Sequence, residues 1–200
     1  PWTLAAYSIE GRSSEDFGKT LGFLESNQKD VHDLLIKYTD ACFLYLRKQV
    51  QSGADVIQIF DSWANLLTKE DLIEFSFNYI NSLISALKLD PITKNIPVII
   101  FARNPKCNIE ELINTSADCI SLFWSMNDLN FEVAKNKVAI QGNLDPKILL
   151  ESDETIKRET YKILERFKEY PGYIFNLGHG ITPDISPDKI KYLTNIVREY

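Results

Sequence analysis

The chain has 200 residues, of which 44% are hydrophobic and 25% are charged, and its formal net charge is −6. This composition is typical of a globular domain and gives no reason to expect nucleic-acid binding, which calls for a basic stripe. No apolar run approaches the ~20 residues that span a bilayer. The three cysteines, Cys42, Cys107 and Cys119, lack CxxC spacing. They argue against a disulfide framework or a zinc site, and a reducing cytoplasm fits best.

The first four residues, Pro1-Trp2-Thr3-Leu4, resemble the end of a strand that runs into a loop. Proline is also not a start residue. We therefore expect part of the protein to lie upstream of residue 1.

Five strand-like runs follow, and they alternate with longer segments of helical period. Several of the runs are continuously apolar and β-branched, as expected for strands buried on both faces of a parallel sheet. They cover residues 54–60, 96–102, 118–124, 138–141 and 173–176.

The helical segments carry recognisable start and stop signals. Residues 31–45 have apolar side chains at helical spacing, and Gly53 supplies a stop before the first strand. Thr68 and Asn108 are capping side chains with an acid three residues further on, which is typical of a helix N-terminus. Residues 156–167 mark a further helix, and Ser186-Pro187 begins the last one.

Strand and helix alternate without a long linker, which indicates a parallel α/β fold. Periodicity alone allows a doubly wound sheet or a (β/α)-barrel. The chain has no GxGxxG and no GxxxxGK[ST] phosphate loop, which weakens the nucleotide-binding alternative. Five strands cannot close an eight-stranded barrel, so the barrel interpretation needs the upstream portion.

In a parallel barrel the active site forms where the C-terminal ends of the strands meet their loops. Polar residues collect at these points, and the strand ends carry Asp61-Ser62, Arg103, Phe123-Trp124-Ser125, Asn143 and His179. His179 stands between two glycines that allow a ligand to approach the backbone closely, although a loop histidine can also simply cap a carbonyl. Asp61-Ser62 can equally be ordinary strand-terminating residues, and Arg103 can be scattered surface charge. His32 lies within a helix pattern and is expected at the surface.

Four blocks of this sequence resemble the uroporphyrinogen decarboxylase family, in the family's order and across nearly the whole chain. The blocks are residues 1–11 (PWTLAAYSIEG), 53–64 (GADVIQIFDSWA), 141–146 (QGNLDP) and 175–184 (FNLGHGITPD). One departure stands out: relatives usually carry Asp-Trp-Thr where this chain has Phe123-Trp124-Ser125, which puts the details of that loop in doubt.

The resemblance implies a (β/α)8 TIM barrel of which residues 1–200 supply about the last five strands as the C-terminal part of a single domain. It also implies a cytoplasmic homodimer without cofactor or metal. Such an enzyme converts uroporphyrinogen III to coproporphyrinogen III by decarboxylating the acetate side chains. Tyr7, Ser62 and His179 match the family's substrate-contacting residues, with Asp61, Asn143 and Arg103 as further candidates. The family's arginine-rich motif and its catalytic aspartate are expected upstream, so this portion alone should be inactive.

Two alternatives remain open. A related cobamide-dependent methyltransferase shares the barrel but activates a thiol on zinc, which calls for thiolate and imidazole ligands. The second strand end here reads Ile100-Phe101-Ala102-Arg103 with no His-x-Cys, and Gly178-His179-Gly180 stands where a cysteine ligand would be expected. The other alternative is a non-catalytic barrel that binds a tetrapyrrole.

Overall fold

The computed structural model of the protein describes residues 1–12, 14, 16–127 and 130–200. Five strands form one sheet in which each strand neighbours the next along the chain. They are β1 (Ile57–Asp61), β2 (Val98–Ala102), β3 (Cys119–Ser121), β4 (Ala139–Gln141) and β5 (Tyr173–Ile174). β1 pairs with β2 in parallel with Ile57 opposite Val98, and β4 pairs in parallel with β5. The predicted parallel α/β fold is therefore confirmed, with strands shorter than the apolar runs that predicted them.

The helices fill the segments of helical period. They are α1 (Trp2–Glu10), α2 (Gly18–Ser26), α3 (Gln28–Gln51), α4 (Lys69–Asp71), α5 (Asn78–Leu89), α6 (Ile109–Ile113), α7 (Asp153–Phe167) and α8 (Pro187–Glu199). A π-helical turn, Leu72–Phe77, joins α4 to α5 without a break. The predicted helix starts are confirmed: the Thr68 hydroxyl accepts a hydrogen bond from the Asp71 N–H, and Ser186 accepts one from Asp188. Glu111 accepts one from the Asn108 N–H at 2.8 Å.

The opening of the chain differs from its prediction. Residues 1–4 are not the end of a strand, because α1 begins at Trp2. Proline is well tolerated at the start of a helix, where its missing N–H has no partner to lose, and Leu4, Ala5 and Ala6 are strong helix formers. Gly11, with a φ of 80°, ends the helix in the left-handed conformation.

The chain divides into two compact units, Pro1–Ile120 and Ser121–Tyr200. In the first unit every residue of β2 is buried, and α5 buries Ile80, Leu83, Ile84 and Leu87. In the second unit the core gathers around α7 and α8, and its buried members are Leu144, Leu149, Ile156, Ile185, Leu193 and Ile196. Among the helices of the described residues, none is long and apolar enough to cross a membrane.

Candidate functional site

The end of β1 in the first unit carries a buried carboxylate, Asp61, which is only 4% exposed. One of its oxygens accepts a hydrogen bond from the Thr3 hydroxyl of α1 at 2.8 Å, and the other accepts one from the Ser76 hydroxyl. Burial raises the pKa of the Asp61 carboxyl above its ordinary value, against the opposing effect of the hydrogen bonds from Ser76 and Thr3. Both oxygens are thus engaged inside the unit.

Ser62 and Trp63 follow Asp61 and lie half-buried at the strand end. The Trp2 indole N–H donates to the Trp63 carbonyl at 3.0 Å, which ties this loop to α1. The backbone N–H of Arg103, just after β2, donates to the backbone carbonyl of Asp61 at 3.0 Å. Two neighbouring strand ends and a helix therefore meet at the loop.

The Trp63 ring is the centre of an aromatic cluster. The Phe17 ring lies 4.4 Å from it, and the Tyr7 ring meets it edge-on at 6.1 Å. The Arg103 guanidinium lies over the indole, 5.3 Å from its centroid, in a cation–π arrangement. Tyr7 remains 39% exposed, whereas Phe17 is fully buried. The cluster therefore presents a phenol and a cation beside Ser62.

The second unit holds His179 in the loop after β5. A Cβ on Gly178 would stand 2.4 Å from the backbone nitrogen of Trp124, so the two backbones approach as closely as only glycine permits. The Phe123 ring, 8% exposed, meets the exposed His179 imidazole edge-on at 5.9 Å. The unusual Phe123 of the third strand end thus forms one wall beside His179.

Asn143, at the end of β4, is 2% exposed. Its amide N–H₂ faces three acceptors, the carbonyls of Phe123 and Trp124 and the side-chain oxygen of Asn127. A flipped amide would set its oxygen against those acceptors, which fixes the orientation. The Asn143 amide oxygen has no donor among the described residues. The oxygen is therefore a buried acceptor to which no described residue donates a hydrogen bond.

The structure thus gathers the sequence-predicted residues in two sets. Tyr7, Asp61, Ser62 and Arg103 lie together in the first unit, and Asn143 and His179 lie at neighbouring strand ends of the second. Sequence reasoning missed Thr3, Ser76, Phe17 and the cation-binding role of Trp63. Of these, only Trp63 could have been found from the sequence, because it lies at a strand end next to Ser62.

His32 is not a plain surface residue. Its ring stacks on Phe75, and its nitrogens lie 2.7 Å from the Tyr79 hydroxyl and 3.2 Å from Glu74. Within the part of the chain that the structure describes, no three His, Cys, Asp or Glu side chains gather where they could hold a metal ion.

Comparison with known families matches Uroporphyrinogen decarboxylase (URO-D) over residues 1–200. The chain belongs to this family. A uroporphyrinogen decarboxylase of Ruthia magnifica subsp. Calyptogena magnifica is 40% identical over 202 residues, with all of this chain and 58% of that protein covered. One of Alcanivorax borkumensis is 39% identical, with all of this chain and 57% of that protein covered. The chain thus spans a little more than half the length of these uroporphyrinogen decarboxylases.

Membership of the uroporphyrinogen decarboxylase family confirms the recognition made from four sequence blocks, and with it the (β/α)-barrel class of which this chain carries five strands. A methyltransferase from Methanosarcina mazei has a similar structure, with a TM-score of 0.73 at 19% identity, covering 97% of this chain and 56% of that protein. At that identity the similarity concerns the fold alone.

Proposed function

We propose that the protein containing this chain decarboxylates the four acetate side chains of uroporphyrinogen III to give coproporphyrinogen III. The observation that carries the proposal is the family match across all 200 residues, together with relatives of that name at 37–40% identity. Because the chain spans 58% of the first of these relatives, the activity is assigned to the full-length protein.

The polar groups at the strand ends suit a polycarboxylate substrate. Tyr7 and Ser62 make no side-chain hydrogen bond to other described residues, so both hydroxyls can donate to substrate carboxylates. Arg103 supplies positive charge beside Ser62. His179 can hydrogen-bond a carboxylate or a pyrrole. An acidic protein can bind such a substrate where its pocket is locally basic.

Loss of carbon dioxide from a pyrrole acetate requires an electron sink. Protonation of the pyrrole ring provides it: the C–C bond electrons flow into the ring, carbon dioxide leaves, and the resulting exocyclic methylene takes up a proton to become methyl as the ring loses one. The site therefore pairs a proton donor with groups that stabilise developing charge. We expect the catalytic aspartate and the arginine motif outside residues 1–200, so this portion alone should be inactive.

We further propose, from the family resemblance, that residues 1–200 form the C-terminal part of one barrel domain and that Tyr7, Ser62 and His179 contact the substrate. Ser62 follows β1 and His179 follows β5, and active sites of (β/α)-barrels form where the strands end. Tyr7 of α1 contacts Trp63, the residue next to Ser62. A cytoplasmic homodimer that works without cofactor or metal completes the proposal, by family resemblance.

The test is an anaerobic assay of the full-length protein with uroporphyrinogen III, with products separated by chromatography. Tyr7→Phe, Ser62→Ala and His179→Asn should each reduce kcat or raise KM by about tenfold or more while leaving the melting temperature nearly unchanged. Tyr45→Phe and Ser85→Ala are matched controls, because both residues are exposed on helices and should leave turnover unchanged.

A wild-type protein that yields no coproporphyrinogen would refute the assigned activity. Elemental analysis that finds about one zinc per chain would contradict the metal-free mechanism and favour the methyltransferase alternative. Sedimentation velocity that shows a monomer would contradict the proposed dimer.

A further inference from the structure

The Asp61 carboxylate accepts hydrogen bonds from two segments of the first unit that are far apart in sequence. Thr3 lies 58 residues before it on α1, and Ser76 lies 15 residues after it in the π-helical turn. With 4% exposure and both oxygens engaged, Asp61 is not positioned to meet a substrate directly. Its neighbour in the chain is Ser62, however, and its partner Thr3 lies on the helix that carries Tyr7.

Thr3 connects Asp61 to Tyr7. The Thr3 hydroxyl donates to Asp61 at 2.8 Å, and it lies 3.4 Å from the Trp63 backbone N–H, for which it is the acceptor. Thr3 and Tyr7 are four residues apart, so they occupy the same face of α1. The hydroxyl therefore sets the helix that carries Tyr7 against both residues that flank Ser62.

Ser76 donates a hydrogen bond to the other carboxylate oxygen. Phe75, Ser76 and Phe77 are consecutive and all buried, at 0%, 0% and 4% exposure. They lie in the π-helical turn Leu72–Phe77, whose wider winding changes which side chains face inward. The Ser76 hydroxyl is thus committed to Asp61.

We propose that Thr3 and Ser76 are positioning residues that hold the Asp61 carboxylate by hydrogen bonds and thereby fix Ser62 and Tyr7 relative to each other for turnover. This inference rests on the decarboxylase function proposed above. Neither hydroxyl touches the substrate: Ser76 is fully buried, and the hydrogen of Thr3 is donated to Asp61. Both act through Asp61.

The experiment measures kcat and KM of the full-length protein with uroporphyrinogen III for Thr3→Val, Thr3→Ser, Ser76→Ala and Ser85→Ala. Thr3→Val and Ser76→Ala should lower kcat by about tenfold or more, since a small misplacement of reacting groups has effects of this size, while KM changes by less than about twofold. Thr3→Ser keeps the hydroxyl and should retain kcat within about twofold. Ser85→Ala should match the wild type because Ser85 is exposed.

A double-mutant cycle separates positioning from a general structural role. If Thr3 acts through Ser62 and Tyr7, Thr3→Val should lower kcat by less than about twofold in a background that carries both Ser62→Ala and Tyr7→Phe, because residues that act as a unit are not additive. An equal loss of kcat in both backgrounds, or wild-type kcat in folded Thr3→Val and Ser76→Ala, overturns the proposal. If Thr3→Val is too unstable to purify, Ser76→Ala completes the same cycle.

Failure of the proposed function is recognised separately, because the wild-type protein then produces no coproporphyrinogen. In that case crystal structures still decide the positioning role. Thr3→Val should shift Ser62 or Tyr7 by more than about 0.5 Å, which is the tolerance of a working site, and unchanged positions overturn the proposal.

Discussion

The backbone of Trp124 packs so tightly against Gly178 that a Cβ atom on residue 178 would lie 2.4 Å from the Trp124 nitrogen. This contact joins the loop after β3 to the loop after β5, and His179 is the next residue along the chain. The position of the imidazole therefore depends on the absence of a side chain at residue 178.

Gly178→Ala should destabilise the protein by about 3 kcal/mol, because backbone atoms cannot yield as a flexible side chain would. It should also impair turnover by displacing His179. Gly180→Ala is the matched control, since a Cβ there meets nothing within 4 Å. Urea denaturation of the two variants checks the prediction, and equal stability would contradict it.

Asp61 should make stability depend on pH in a defined direction. Burial raises the pKa of its carboxyl in the folded state, so its contribution to stability is fully present below the unfolded pKa and is lost as pH rises through the folded pKa. Between those two values the loss is about 1.4 kcal/mol per pH unit. Asp61→Asn keeps the shape and does not titrate, and the Ser76 hydroxyl can rotate to accept from its amide.

The measurement is the unfolding free energy of wild type minus that of Asp61→Asn, from about pH 4 upward. This difference should fall as pH rises. The carboxyls of Asp90, Glu111 and Glu159, whose pKa values are lowered by ion pairs or hydrogen bonds, have the opposite effect. They are present in both proteins and cancel. A difference that stays constant or grows with pH would show that the pKa of the Asp61 carboxyl is not raised in the folded protein.

Thr160 on α7 offers a stabilising substitution. It is fully buried, and its hydroxyl has no hydrogen-bond partner among the described residues. Thr160→Val removes an unsatisfied polar group at nearly constant volume and should raise the unfolding free energy by about 1 kcal/mol. Thr93→Val is the control: Thr93 is equally buried, but its hydroxyl donates to the Leu87 carbonyl at 2.6 Å, so stability should fall. Thermal unfolding that ranks the pair in the opposite order would contradict this reasoning.

The cysteines should differ in reactivity. Burial raises the pKa of the Cys107 thiol to about 12, with Glu111 adding to it, and burial also raises the pKa of Cys119 to about 12. At pH 8 roughly one such thiol in ten thousand is ionised, and the thiolate is the reactive form. Iodoacetamide should therefore modify Cys42 before Cys107, although both are half-buried, and should modify buried Cys119 only on unfolding. Mass mapping of the native protein checks the order, and early labelling of Cys119 would contradict it.

The strands could be predicted because runs such as residues 96–102 are apolar and β-branched without interruption, which is typical of a strand buried on both faces. The helix starts at Thr68 and Ser186 could be predicted because capping acts within a few residues. The opening segment was interpreted wrongly. Four residues are too few to show a period, and the helix formers that decide α1 extend beyond them.

The site was predictable only in part. The sequence pattern placed Asp61, Ser62, Asn143 and His179 at strand ends, where barrel active sites form, and their contact with a substrate stays a prediction. The hydrogen bonds that Asp61 accepts from Thr3 and Ser76 were not predictable. Its partner Thr3 is separated by a sequence distance that no local pattern spans, and Ser76 faces inward through a π-helical turn that has no recognised sequence signature.

The π-helical turn also constrains how this part of the gene can change in length. A π turn is an α-helix with one inserted residue, so a single-codon deletion within residues 72–77 could restore a regular helix without breaking it. The deletion would rotate everything before it by about 100° relative to α5. The helix would stay continuous, but the hydrogen bond between Ser76 and Asp61 would be lost. We therefore expect the protein to tolerate substitutions in residues 72–77 more readily than the deletion of a residue.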